Sequence, residues 1–290
     1  MKHPKSLSRL DGKLCVITGA SDGIGVETAR FLASQGARLV LPVRNRAKAE
    51  PVREDLVQTT GNKDITLRDL DLGSLASVRS FTRAFLDEHK ALDLLVLNAG
   101  LSATRRSLTQ DGFESTFGVN HFGHFVLTLE LLGALRAAER ARVVVVASKL
   151  HTSGTIPFDD LTYEKGSFGL MQGAYPDSKL ANVLFSNALA RRLKGTKVTV
   201  NSLHPGVVST SLAREMNPVF RWAARTFFMT PEKGAHTSVY VAASPDLEGV
   251  TGRYFDSCKE VPASPKALDE ALQERLWERT ETLTGTRFTA

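Results

Sequence analysis

Leu14-Cys-Val-Ile-Thr18, a short apolar and β-rich run, passes at once into Gly19-Ala-Ser-Asp-Gly23-Ile-Gly25 and then into a helical pattern from Val26 to Ala33. No other stretch constrains the possible folds as tightly. Strand, glycine turn and helix in direct succession form the first half of a parallel-strand crossover. The glycines let the backbone turn sharply and approach a ligand, and the unpaired N–H groups and dipole at the helix start favour a phosphate there. An ordinary βα turn explains the three glycines equally well when the string is taken alone.

The rest of the chain repeats the alternation. Strand patterns fall at 14–18, 38–43, 65–70, 92–97, 142–147 and 197–203, separated by helical segments near 24–35, 46–59, 74–89, 113–138 and 176–193. This pattern predicts an α/β, single-domain, doubly wound parallel sheet (a Rossmann fold) with helices on both faces and right-handed crossovers. Ligands bind such sheets at the carboxyl ends of the strands, and Gly19, Arg44, Asp71, Asn98, Ser148 and Pro205 all follow a strand pattern closely.

Tyr175 and Lys179, in Ala174-Tyr-Pro-Asp-Ser-Lys179, are spaced to share one helical face. An ammonium beside a phenol stabilises the phenolate, which makes tyrosine a usable proton-transfer group near neutrality. By itself the pair also fits a surface tyrosine packed on a lysine stem.

Taken together, Thr18 to Gly25, Asn98-Ala-Gly100, Asn120, Ser148, Tyr175 with Lys179, and His204-Pro-Gly206-Val-Val-Ser-Thr210 resemble, in order, the motifs of the short-chain dehydrogenase/reductase family. The glycine spacing, Gly-x-x-x-Gly-x-Gly, differs from the Gly-x-Gly-x-x-Gly of other dehydrogenases. Asn120-His-Phe-Gly-His-Phe125 and Ser178-Lys-Leu-Ala-Asn-Val183 are most similar to the retinol dehydrogenase and protochlorophyllide reductase-like branch. The resemblance spans about residues 13–285, leaving 1–12 as an N-terminal tail.

The resemblance implies an oxidoreductase that interconverts a hydrophobic alcohol and its aldehyde or ketone by hydride transfer. Tyr175 is then the general acid–base, Lys179 lowers its pKa and bonds the nicotinamide ribose, Ser148 donates to the developing alkoxide, and Asn120 holds a water that links Lys179 to solvent. The alternative is a catalytically idle nucleotide-binding scaffold or sensor of the same fold, which has no need of the intact tetrad. Many relatives have Ser-Ser, two variable residues and a glycine where this chain has Ala147-Ser-Lys-Leu-His151. A longer segment, Thr152 to Gly173, then separates Ser148 from Tyr175 and is expected to cover part of the site.

Cofactor contacts implied by the resemblance begin at the turn, with Gly19, Ser21, Asp22, Gly23, Ile24 and Gly25. They continue through Asp71 and Leu72 beside the adenine, Asn98, Ala99 and Gly100 at the central strand end, and Tyr175 and Lys179. Pro205, Gly206, Val208 and Thr210 pass the nicotinamide. The second strand ends in Pro42-Val-Arg44-Asn-Arg46, without the acidic residue that grips the ribose in NAD-binding relatives. Arg44 suits a 2′-phosphate through bidentate, charge-assisted bonds, with Arg46 adding field, so NADP is the expected cofactor and NAD remains possible. Two features keep alternatives open: Asp22 stands where many NADP users carry a base, and Asp71 also fits a cap for the following helix.

The formal charge of +6 is spread along the sequence without a basic stripe interleaved with aromatics, which excludes a nucleic-acid reading. Cys15 and Cys258 form no disulfide framework, and no apolar run approaches the ~18 residues of a membrane span, so a cytoplasmic protein is expected. No metal site is expected, since His121 and His124 lack a third ligand at helical spacing. The apolar side chains near 209–231, among them Phe220, Trp222 and Phe227, fit a substrate lid or equally a packing or subunit contact. Leu268, Leu272, Leu276 and Leu283 read as one stripe of a packing helix over 266–283. A homodimer through the helices carrying Asn120 and Tyr175 is possible.

Overall fold

The computed structural model describes residues 7–166, 168–169, 172–208 and 229–289. One eight-stranded sheet runs in the order β3-β2-β1-β4-β5-β6-β7-β8. Its strands are β1 (Leu14–Ile17), β2 (Arg38–Val43), β3 (Ile65–Asp69), β4 (Leu94–Leu97), β5 (Ala141–Val146), β6 (Val198–His204), β7 (Tyr254–Asp256) and β8 (Lys259–Val261). All neighbours pair in parallel except β7 and β8. Chain order reverses between β1 and β4, which opens the crevice where such sheets take their ligands.

Every residue of β1 and β4 is buried, because helices cover both faces, and this is why these strands read as continuous apolar runs rather than alternating ones. One face packs Phe81, Phe85, Leu129 and Phe185 against the sheet; the other packs Ala29, Leu32 and Leu56. The helices α1 (Gly23–Ser34), α2 (Arg46–Thr60) and α3 (Leu75–Glu88) lie close to their expected places. The chain ends also join the domain: Ser8 N donates to Ala243 O at 3.0 Å, and Phe288 packs edge-on to Trp277 with 5.9 Å between rings.

The single helix expected over 113–138 is instead a series of pieces. A turn at Ser115–Phe117 leads into a π-helical stretch, Gly118–Phe122, then α-helix at Gly123–Glu130 and Leu132–Ala137. The apolar pattern cannot reveal such a break, because an extra residue in one turn rotates the stripe without interrupting it. π-turns recur at functional sites, and this one carries Asn120. A Cβ at Gly123 would collide with the carbonyl of Leu72, so glycine there lets the helix approach the end of β3.

The tyrosine helix, Ala174–Arg192, is buried from Ala174 through Ala190. Much of that cover comes from the C-terminal helix, Glu270–Thr284, through Trp277, which contacts Phe125 and Phe185 at 4.9 and 5.9 Å between rings. The tyrosine helix is thus covered within one chain. The leucine stripe is corrected: Asp269 caps the helix after a separate turn, Pro265–Leu268, and Leu268 is left 55% exposed while Leu276 is buried. Among the described residues no helix is long and apolar enough to cross a membrane.

Candidate active site

A cleft of ≈ 310 Å³ lies at the switch between β1 and β4, bordered by the glycine turn, the end of β2, Asp71 with Leu72, and Asn98 to Leu101. Gly19 adopts φ +71, and a Cβ there would sit 2.7 Å from Ala99 Cα; the turn can pass β4 only without a side chain. Asn98 braces it, donating Nδ2 to Thr18 O at 2.9 Å, while Asn98 N and Ala99 N both donate to Thr18 Oγ1 at 2.9 and 3.0 Å. The N-terminus of α1 faces this space, and Asp22 makes no capping bond within the helix.

At the end of β2, Arg44 is exposed on the rim of the cleft. Arg46 turns away instead, with Nη2 on Leu67 O at 3.2 Å and Nε on Asp69 at 3.4 Å. Lys48 takes the place beside Arg44 and pairs with Asp22 at 3.0 Å. The sequence reading missed Lys48, although Arg44 and Lys48 have the spacing of one turn and Asn45 caps the helix between them, accepting from Lys48 N. Asp71 does not cap α3. Ser74 does so, while Asp71 Oδ1 accepts from Gly73 N at 2.8 Å.

The four tetrad candidates converge beyond the end of β5. Asn120 is fully buried, its Oδ1 accepting from Leu101 N at 2.9 Å and its Nδ2 donating to Leu101 O and Ser178 Oγ at 3.0 and 2.9 Å. Its side chain is therefore a brace. Ser148 Oγ accepts from Leu150 N at 3.2 Å and faces the Tyr175 phenol, whose pKa it lowers. Lys179 Nζ donates to Val146 O at 3.1 Å and lies 5.6 Å from the centre of the Tyr175 ring. Gly100 keeps the space between them clear, since a Cβ there would lie 3.4 Å from both Asn120 Oδ1 and Lys179 Nζ.

Burial pushes the Tyr175 phenol up to about 12, opposed by the nearby Ser148, and pushes the Lys179 ammonium down to about 8. The expected lowering of Tyr175 by Lys179 does not appear, because burial dominates and the ammonium is turned to a backbone carbonyl. The two histidines, His121 in the π-turn and His124 in the helix after it, diverge. His121 Nε2 meets Thr280 Oγ1 at 3.0 Å, and His124 bridges Thr18 Oγ1 at 2.9 Å and Asn120 O at 3.1 Å. Past β6, Pro205 and Gly206 lead to Val208, whose methyl would lie 2.5 Å from a Cβ on Gly234, beside Ile24 of the glycine turn. Thr210 and residues 209–228 of the expected lid lie outside the described residues.

Residues 13–219 match the family model described as short chain dehydrogenase. The chain belongs to the short-chain dehydrogenase family. It is 46% identical over 295 residues to retinol dehydrogenase 14 of Mus musculus, covering 95% of this chain and 87% of the relative. Among solved structures, an uncharacterised protein from Mycobacterium paratuberculosis matches with TM-score 0.78 and 33% identity over 98% of both chains. The Pseudomonas aeruginosa RhlG/NADP active-site complex matches with TM-score 0.68 and 25% identity, over 91% of this chain and 97% of that one. This short-chain dehydrogenase is thus an oxidoreductase of the retinol dehydrogenase-like branch, using a nicotinamide cofactor and a small alcohol or carbonyl substrate.

Proposed function

We propose that the enzyme is NADP-dependent and interconverts a hydrophobic alcohol and its aldehyde or ketone, with Tyr175 as general acid–base. The observation that carries this reading is the convergence of Ser148, Tyr175 and Lys179 beyond the end of β5, with the Lys179 ammonium 5.6 Å from the centre of the Tyr175 ring. The residues fit the cofactor: the side-chain-free turn at Gly19 and Gly25 admits a pyrophosphate to the start of α1, and Arg44 with Lys48 offers two cations for a 2′-phosphate. Asp71 and Leu72 border the cleft where an adenine would lie, Lys179 would hold a ribose hydroxyl, and the segment from Pro205 to Val208 would pass the nicotinamide.

When bound, the nicotinamide supplies or accepts the hydride. The protein's own part is the proton. For reduction, Tyr175, neutral near pH 7, gives its hydroxyl proton to the oxygen that becomes the alcohol. Ser148, fixed by Leu150 N–H, keeps its own proton for the same oxygen, a contribution of ~2–4 kcal/mol for a donor of this type. Lys179 places positive charge next to the phenolate left behind, and the proton is returned from solvent through Lys179 by water in the space that Gly100 keeps clear. The apolar substrate class is supported by the name of the mouse relative, since retinol is a long apolar alcohol.

A panel of apolar alcohols, aldehydes and ketones incubated with NADPH, NADP, NADH and NAD, followed by absorbance of the reduced nicotinamide, tests the reading. Turnover of apolar substrates favouring the phosphorylated cofactor is expected. No turnover of any pair would leave an idle nucleotide-binding member of the fold.

A further inference from the structure

His151 occupies the position three residues after Ser148, where many relatives carry glycine, and its imidazole is 2% exposed. Its two ring nitrogens have different partners. Nδ1 lies 2.8 Å from Ser148 O, and Nε2 lies 3.1 Å from Ser264 N. The backbone N–H of Ser264 can only donate, so Nε2 is the acceptor and the single imidazole proton must sit on Nδ1, pointing at the Ser148 carbonyl. Tyr254 packs at a tilt against the same ring, 4.7 Å between centres, and confines the imidazole further.

We propose that His151 is a positioning residue for Ser148, a neutral imidazole that ties the serine turn to the chain segment ahead of the C-terminal helix. The inference rests on the reading of Ser148 as the alkoxide donor. Ser148 caps the short helical turn Lys149–Thr152, and its Oγ is aimed by the bond from Leu150 N at 3.2 Å. Whatever rotates that turn moves the hydroxyl. His151 holds it from the far side, closing on the Ser148 carbonyl with both its backbone N–H, at 3.1 Å, and its ring. The anchor is firm, because Ser264 itself caps the turn Pro265–Leu268, and Lys266 Nζ from that turn donates to Gly154 O at 3.0 Å. Displacements of ~1 Å in a catalytic group can cost ~10²-fold in rate, so a small rotation of this turn is enough to matter.

The test is a double-mutant cycle on the full-length enzyme. His151→Phe preserves the ring against Tyr254 but removes both hydrogen bonds, and His151→Asn retains a donor for the Ser148 carbonyl. Turnover of the best carbonyl substrate and NADPH affinity are measured in the parent and in Ser148→Ala. His151→Phe is expected to lower kcat by ~10- to 100-fold with NADPH affinity within about twofold of the parent, and His151→Asn to restore most of the loss. In the Ser148→Ala background the same His151→Phe change should cost less than about twofold, because the group it positions is gone. An equal factor in both backgrounds, or parent kcat in His151→Phe, overturns the proposal. If His151→Phe does not fold, His151→Asn retaining more turnover than His151→Gln supports it, and the reverse order overturns it. Parent turnover in Ser148→Ala alone overturns the serine assignment, and this proposal with it.

Discussion

The ammonium of Lys179 lies 5.6 Å from the centre of the Tyr175 ring, yet its hydrogen bond goes to the carbonyl of Val146 at 3.1 Å. Burial moves the two groups' pKa values apart, Lys179 down to about 8 and Tyr175 up to about 12. Through neutral pH the pair is therefore phenol and ammonium, the state needed to donate a proton. Carbonyl reduction should be flat from about pH 6 to 7.5 and fall as pH rises through the Lys179 value near 8, while alcohol oxidation rises over the same range. A pH profile of kcat/KM in each direction checks this; reduction that accelerates above pH 8 would contradict it.

Acid should unfold this protein early. Burial holds His121 down to about 3 and His124 down to about 4, against an unfolded value near ~6.5. The sign follows from linkage: the unfolded chain takes up these protons first, so stability is full above pH ~6.5 and is lost as pH falls toward 4. Two such groups give a slope of roughly 2–3 kcal/mol per pH unit over that window. Denaturant titrations at pH 7, 6 and 5 measure it, and a stability unchanged from pH 7 to 5 would show that the rings are not held neutral.

The Lys48 and Asp22 pair at 3.0 Å places one cation of the proposed 2′-phosphate subsite under a competing carboxylate. Arg44→Ala and Lys48→Ala should each weaken NADPH by roughly 1–2 kcal/mol and leave NADH nearly unchanged, whereas Asp22→Asn should tighten NADPH. Calorimetric titration with both cofactors decides it. Equal affinities for NADPH and NADH in the parent would remove the basis of the assignment.

The tyrosine helix is covered inside one chain, with Arg192 stacked on Trp277 at 3.9 Å and Asn187 Nδ2 bonded to Ala267 O at 3.0 Å. We therefore expect no dimer through this face. Sedimentation should find a monomer at micromolar concentration, and removing residues 265–290 should expose the apolar helix and cause association or unfolding. A parent dimer that the truncation leaves intact and folded would contradict this.

Much of the site was legible in the sequence because its chemistry sits at strand ends, and the buried strands announce themselves as apolar runs. Gly19, Asn98 and Ser148 all fall where that logic puts them, and Tyr175 with Lys179 where helical spacing does. β7 and β8 were not legible, being three residues each and lacking a period to read. Arg46 and Lys48 exchanged roles because cap geometry at Asn45, not charge, decides which side chain turns to the cleft. His151 was silent, since its partners Ser148 and Ser264 are over a hundred residues apart and meet only after the sheet forms.

Replacing Tyr175 with phenylalanine tests the central claim most directly, because it removes one oxygen and leaves the ring in place. The account predicts that Tyr175→Phe lowers turnover of the best carbonyl substrate by at least ~10²-fold while NADPH affinity stays near the parent value. Reduction at close to the parent rate would mean that the proton comes from another group, and the assignment of Tyr175 would be wrong.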